Sequence, residues 1–188
     1  FKTIDYLIGK KRFCFPRGYD LKPSYPGISR LQTFNNFMCH GKIDRQIIKT
    51  KSKAEIINIG YPRYDIKIDT KNTRESIINE FGIKNEKKII YWLPSYRSPK
   101  VENPDLGIDK WIDKVKLITD EFNVIIRPHP DRLFASKELL KKIKNNNFFI
   151  DLDVTRNLAE IYKSVDFIFC EISGPFYSAI YNLSLIHI

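Results

Sequence analysis

From residue 55 onward, short apolar runs alternate with segments of helical period, and this alternation constrains the chain more than any other feature. "EIINIG", "KKIIYWLP", "NVIIRPHP", "NFFIDLD" and "DFIFCEIS" are strand-like. Between them lie "NTRESIINEFGI", "DKWIDKVKLITDEF", "SKELLKKIKNN" and "NLAEIYKSV", whose apolar residues recur at three- and four-residue spacing. In the first helix Ile77, Ile78 and Phe81 share a side, and Gly82 is the stop. In the second, which is amphipathic, Trp111, Val115 and Ile118 share a face. "GPFYSAIYN" opens a further helix, and "SLIHI" reads as a last strand. Continuous apolar strands alternating with helices predict βαβ units around a parallel sheet buried on both faces.

Residues 1–54 are less regular. "RFCF" and "NNFMCHG" read as short strands, "PRGYDLKPSYPG" as a loop and "KIDRQIIKT" as a short helix. The domain expectation is therefore a partial first unit, 1–54, followed by a Rossmann-like unit, 55–188, whose end is cut short.

Right-handed crossovers bring the strand C-termini to one edge, where open α/β sheets bind ligands. The unusual polar residues fall there: Pro94-Ser95-Tyr96-Arg97, Arg127-Pro128-His129-Pro130, Asp151 to Asp153, and Glu171-Ile172-Ser173-Gly174. Arg97 and Arg127 follow different strands, and two guanidiniums at one crevice suit a diphosphate. The alternative is that each arginine bridges to an acidic neighbour. Ser173 and Gly174 at a helix start form either an anion site or a plain N-cap. His129, stiffened between prolines, suits hydrogen bonding to a phosphate or proton transfer, against the alternative of a turn residue. Ser95 is no esterase-type nucleophile, since no G-x-S-x-G surrounds it. His40-Gly41 reads as a strand-ending turn.

The charge balance is +10, from 32 Lys and Arg against 22 Asp and Glu, which suits an anionic partner. Three scattered cysteines without a CxxC argue against zinc or a disulfide framework and favour a reducing cytoplasm. Neither a Walker A loop nor a GxGxxG occurs.

Taken in order, "GYPRYD" (60–65), "LPSYR" (93–97), "RPHP" (127–130) and "NLAEIYKSVDFIFCEISGPF" (157–176) resemble the CDP-glycerol glycerophosphotransferase family over residues 55 to about 181. The resemblance implies a GT-B fold and a transferase that moves glycerol phosphate from CDP-glycerol to a lipid-linked surface polymer. It implies that Arg97, Arg127, His129 and Ser173 hold the donor's diphosphate, with His129 also assisting the leaving phosphate; Ser95 and Gly174 complete the expected substrate-binding set. It implies no metal or cofactor, since the catalysis is electrostatic, and a cytoplasmic place at the inner face of the membrane. The family's D-Y-S-S reads Glu171-Ile172-Ser173-Gly174 here, with a longer acid and one hydroxyl fewer. The family's acceptor-side H-G motif has its nearest match at Arg17-Gly18, and an arginine cannot accept a proton. That base therefore either precedes Phe1 or has been lost. Other readings of the same residues are a nucleotide-sugar glycosyltransferase, a nucleotide-sugar epimerase or hydrolase on the same fold, and a basic nucleic-acid-binding module.

Overall fold

The computed structural model describes residues 10–15, 33–62, 65, 67–84, 86–95, 107–129, 137–171, 174–182 and 186–187. The chain divides into two units, Phe1–Ile66 and Lys67–Ile188.

The first unit holds a three-stranded sheet in the order β1-β2-β3, formed by β1 (Phe13–Cys14), β2 (Asn36–Cys39) and β3 (Glu55–Asn58). Helix α1 (Lys42–Lys51) connects β2 to β3. Both strand pairs are parallel. Cys14, Phe37, Cys39 and Ile48 make its small core. The division falls after Ile66 rather than after Ala54. "EIINIG", expected to head the second unit, pairs with β2 along its whole length, Asn36 opposite Glu55 through Cys39 opposite Asn58. A regular strand pattern reveals that a strand exists but not which sheet takes it.

The second unit is a five-stranded parallel sheet in the order β6-β5-β4-β7-β8. Its strands are β4 (Ile89–Leu93), β5 (Asn123–Ile126), β6 (Phe149–Ile150), β7 (Phe167–Cys170) and β8 (Ile186–His187). Its helices are α2 (Thr70–Glu80), α3 (Ile108–Val115), α4 (Lys137–Lys144), α5 (Leu158–Ser164) and α6 (Gly174–Tyr181). Successive strands are laid outward from β4 on one side, after which the chain returns to place β7 and β8 on the other. The topological switch point thus lies between β4 and β7.

Alternate residues of a strand face opposite sides. Ile90, Trp92, Val124 and Ile126 join Ile108, Ile112 and Val115 of α3 and Ile143 of α4 in one core. Tyr91, Ile125 and Ile168 lie side by side in register on the other face, each fully buried. There α2 packs on α5. The continuous apolar strands are therefore covered on both faces, as their composition predicts.

The expected face of α3 needs correction. Ile108, Ile112 and Val115 are its buried residues, whereas Trp111 is 37 % exposed with Lys114 lying 4.9 Å from its ring centre. Trp111 sits one step round the helix from Ile112, and the branched aliphatic fits the sheet surface while the indole stays at the edge. Helix α2 ends as expected: Gly82 takes φ +63°, and the Gly82 and Ile83 N–H groups donate to the Asn79 and Ile78 carbonyls.

Candidate functional site

With all five strands parallel, the ends of β4, β5, β6 and β7 deliver Ser95, Arg127, Asp151 and Glu171 to one edge. At the switch point, the Glu171 carboxylate accepts from two main-chain N–H groups, Ser95 at 2.5 Å and Gly107 at 2.9 Å. Ser95 follows β4, and Gly107 is the N-cap residue of α3. Glu171 therefore joins Ser95, after β4, and Gly107, before α3, to the end of β7. It also places a negative charge at a helix N-terminus, where it is favourable. Burial, and next the Glu171 charge, push the neighbouring Cys170 thiol up to about 12.

Beside the switch point lies a buried ionic cluster centred on Asp151, which is 2 % exposed. Its Oδ1 accepts from the Asp153 N–H at 3.0 Å. Its Oδ2 is approached by the Tyr91 hydroxyl, by Arg127 Nη1 at 3.3 Å and by Arg156 Nε at 2.5 Å. Arg156 also donates to both carboxylate oxygens of Glu80 and lies over the Phe81 ring. Burial, then the Asp151 charge, drive the Tyr91 phenol far above its usual range, so it acts as a donor. Burial alone would lower Arg156, but hydrogen bonds and charges from Glu80 and Asp151 outweigh it and raise it. Exposed Asp153 is held below the usual carboxylate range by the hydroxyl and N–H of Thr155.

The expected site residues fare differently. Arg127 is at the edge, and its acidic neighbour is Asp151; the bridging alternative is the observed contact, although the arginine is half-buried rather than on the open surface, with its side chain 11 % exposed. His129 is exposed just beyond it, and Ser95 is half-buried across β4. Gly174 opens α6 and is exposed, with open space where a Cβ would stand. Arg97, Ser173 and Arg17 lie outside the described residues.

In the first unit, His40 follows β2. Its main-chain N–H and ring Nδ1 both meet Asp44 Oδ2, at 3.0 and 3.1 Å, and its ring packs on Tyr61 with centres 4.3 Å apart. This fits the strand-ending turn, with Asp44 of the first turn of α1 reaching back to hold it. Among the described residues, no group of three or more His, Cys, Asp or Glu could hold a metal ion.

Sequence reasoning placed Asp151 at the edge without a role and missed Tyr91, Arg156 and Glu80. One signal was available: a tyrosine inside an otherwise aliphatic buried strand needs a hydroxyl partner.

A family model for CDP-glycerol:poly(glycerophosphate) glycerophosphotransferase matches residues 37–178. The chain belongs to this family. Its motifs at the strand ends, from "GYPRYD" to "EISGPF", fall inside the matched region or close to its border. No curated protein matches the chain. Among solved structures, the wall teichoic acid polymerase TagF is similar at TM-score 0.61 and 17 % identity, over 91 % of this chain and 43 % of that one. A TagF variant soaked with CDPG is similar at TM-score 0.62 and 18 % identity, over 86 % of this chain and 43 % of that one. The chain thus spans less than half the length of these structures. At such identity the likeness bears on the fold, which is α/β and of the GT-B type.

Proposed function

We propose that the second unit recognises the nucleoside diphosphate donor of a transferase that moves glycerol phosphate from CDP-glycerol to a growing teichoic-acid-like polymer. The observation that carries this reading is the Arg127 guanidinium, set at the strand edge beside the switch point of a family member. Arg97, Arg127 and His129 bind the diphosphate, Ser95 borders it, and Ser173 with Gly174 offers it the start of α6. The acceptor hydroxyl attacks the phosphorus that bears glycerol, the bond to the bridging oxygen breaks, and CMP leaves with the electron pair. Arg127 stabilises the charge that grows on CMP, and His129 donates a hydrogen bond to it. The hydroxyl proton goes to a base on the acceptor side, to which the first unit belongs.

The acceptor is lipid-linked, and the enzyme works at the inner face of the membrane as a peripheral protein. No described helix is long and apolar enough to cross a bilayer. Support for surface contact comes from the outer side of α3 and the turn after it, where Lys110, Lys114 and Leu117 recur at helical spacing beside Trp111, all exposed. Lysines with an indole suit an anionic lipid interface.

The test is a transfer assay on the full-length protein, with CDP-glycerol labelled in the glycerol and a glycerol-phosphate-primed lipid acceptor. Label should enter the polymer with one CMP released per addition. Transfer from a nucleotide sugar instead, or donor hydrolysis without transfer, contradicts the proposal.

A further inference from the structure

The Asp151 cluster has a design that a simple buried ion pair lacks. The carboxylate is fixed before Arg127 reaches it. Its own main-chain N–H donates to the Ile126 carbonyl at 2.9 Å, which ties the end of β6 to the end of β5. Asp153 N–H holds Oδ1, and the Tyr91 hydroxyl reaches Oδ2 from the middle of the sheet. Arg156 holds Oδ2 as well, and is itself held by Glu80 and Phe81 from the end of α2. Arg127 is then the one partner of Asp151 that stands on the strand-end segment leading to His129.

Two physical consequences follow. A free arginine side chain carries substantial rotamer entropy, which binding a ligand must overcome. The Asp151 contact removes much of that freedom while occupying one of the guanidinium's five N–H donors. The cluster holds two arginines and two carboxylates, but Asp151 is buried and shared by Arg127 and Arg156, while Glu80 is 44 % exposed and open to solvent screening. Asp151 therefore offsets only part of the Arg127 charge.

We propose that Asp151 is a positioning residue for donor binding: it aims the Arg127 guanidinium at the diphosphate, and Arg156 supplies the charge that keeps Asp151 from cancelling it. This rests on the donor-binding reading of Arg127 above.

The test is calorimetric titration of the full-length protein with CDP and with CMP. Asp151→Glu keeps every charge but displaces the carboxylate by one methylene. It should weaken CDP about tenfold while changing CMP less than about twofold. Tyr91→Phe also keeps every charge and removes one anchor of the carboxylate; it should weaken CDP in the same selective way, by about two- to fivefold. In an Arg127→Ala background, Asp151→Glu should cause no further loss, because it acts through Arg127. Equal losses for CDP and CMP, or additive losses in the double variant, would overturn the proposal and leave Asp151 a structural residue. Arg127→Ala binding CDP as wild type would instead overturn the donor-binding reading itself. Near-UV circular dichroism confirms folding, and if Asp151→Glu fails to fold, the Tyr91→Phe selectivity decides.

Discussion

Replacing Glu171 by alanine should loosen the second unit at its switch point. The carboxylate accepts from Ser95 N–H and Gly107 N–H, so the change strands two donors, one of them at a helix N-terminus. A hydrogen bond to a charged group contributes roughly 1.5–3 kcal/mol. Glu171 is half-buried, so water can reach part of the exposed edge, and the lower half of that range applies. With two such bonds lost, the expected loss for Glu171→Ala is then about 3–4.5 kcal/mol. Glu171→Gln keeps one acceptor oxygen and loses the charge, for about 1–2 kcal/mol. Glu171→Asp, the acid at this place in the family pattern, falls between them because the shorter side chain spans to one donor rather than both. Urea unfolding followed by the fluorescence of Trp92, buried in the core of the same unit, measures each loss. The slope should stay unchanged, since the exposed surface does not differ. A Glu171→Ala protein within about 0.5 kcal/mol of wild type, or a glutamine variant as unstable as the alanine one, would refute the reasoning.

The corrected face of α3 predicts that Ile112→Ala costs about 2–4 kcal/mol, while Trp111→Ala costs about 1 kcal/mol or less; paired denaturation curves check the order. Gly82→Ala should cost about 1–2 kcal/mol, because an L side chain at φ +63° is strained even with open space around it; the same curves measure it. Cys14, Cys39 and Cys170 are buried free thiols, so a thiol reagent should react slowly with them at pH 8 until denaturant is added. Because Cys170 ionises near 12 when folded and lower when unfolded, it stabilises fully below its unfolded value. That contribution is lost as pH rises towards 12. Urea midpoints measured between pH 8 and 11 should fall less in Cys170→Ala than in wild type.

Much of the second unit was legible because a doubly covered parallel sheet demands continuous apolar strands, and "KKIIYWLP" has few other uses. The ends of the strands followed from topology, so Arg127, Ser95 and Glu171 were correctly brought to one edge. Where the sequence was silent, the reason was pairing over long separations. Asp151 meets Tyr91 across 60 residues, and Arg156 meets Glu80 across 76. No local spacing encodes such partners. The sheet membership of Glu55–Asn58 was hidden for the same reason. Trp111 shows a different limit. A helical period gives a broad stripe, and which residue at its border turns inward depends on the shape of the surface it meets.

We propose that the strand edge around Arg127 holds the donor's diphosphate. Calorimetric titration of the wild-type and Arg127→Ala proteins with CDP and CMP tests it most directly. CDP should bind wild type at least about tenfold more tightly than CMP, and Arg127→Ala should bring the two together. Equal affinities in the wild type, or a CDP preference that survives Arg127→Ala, would contradict it.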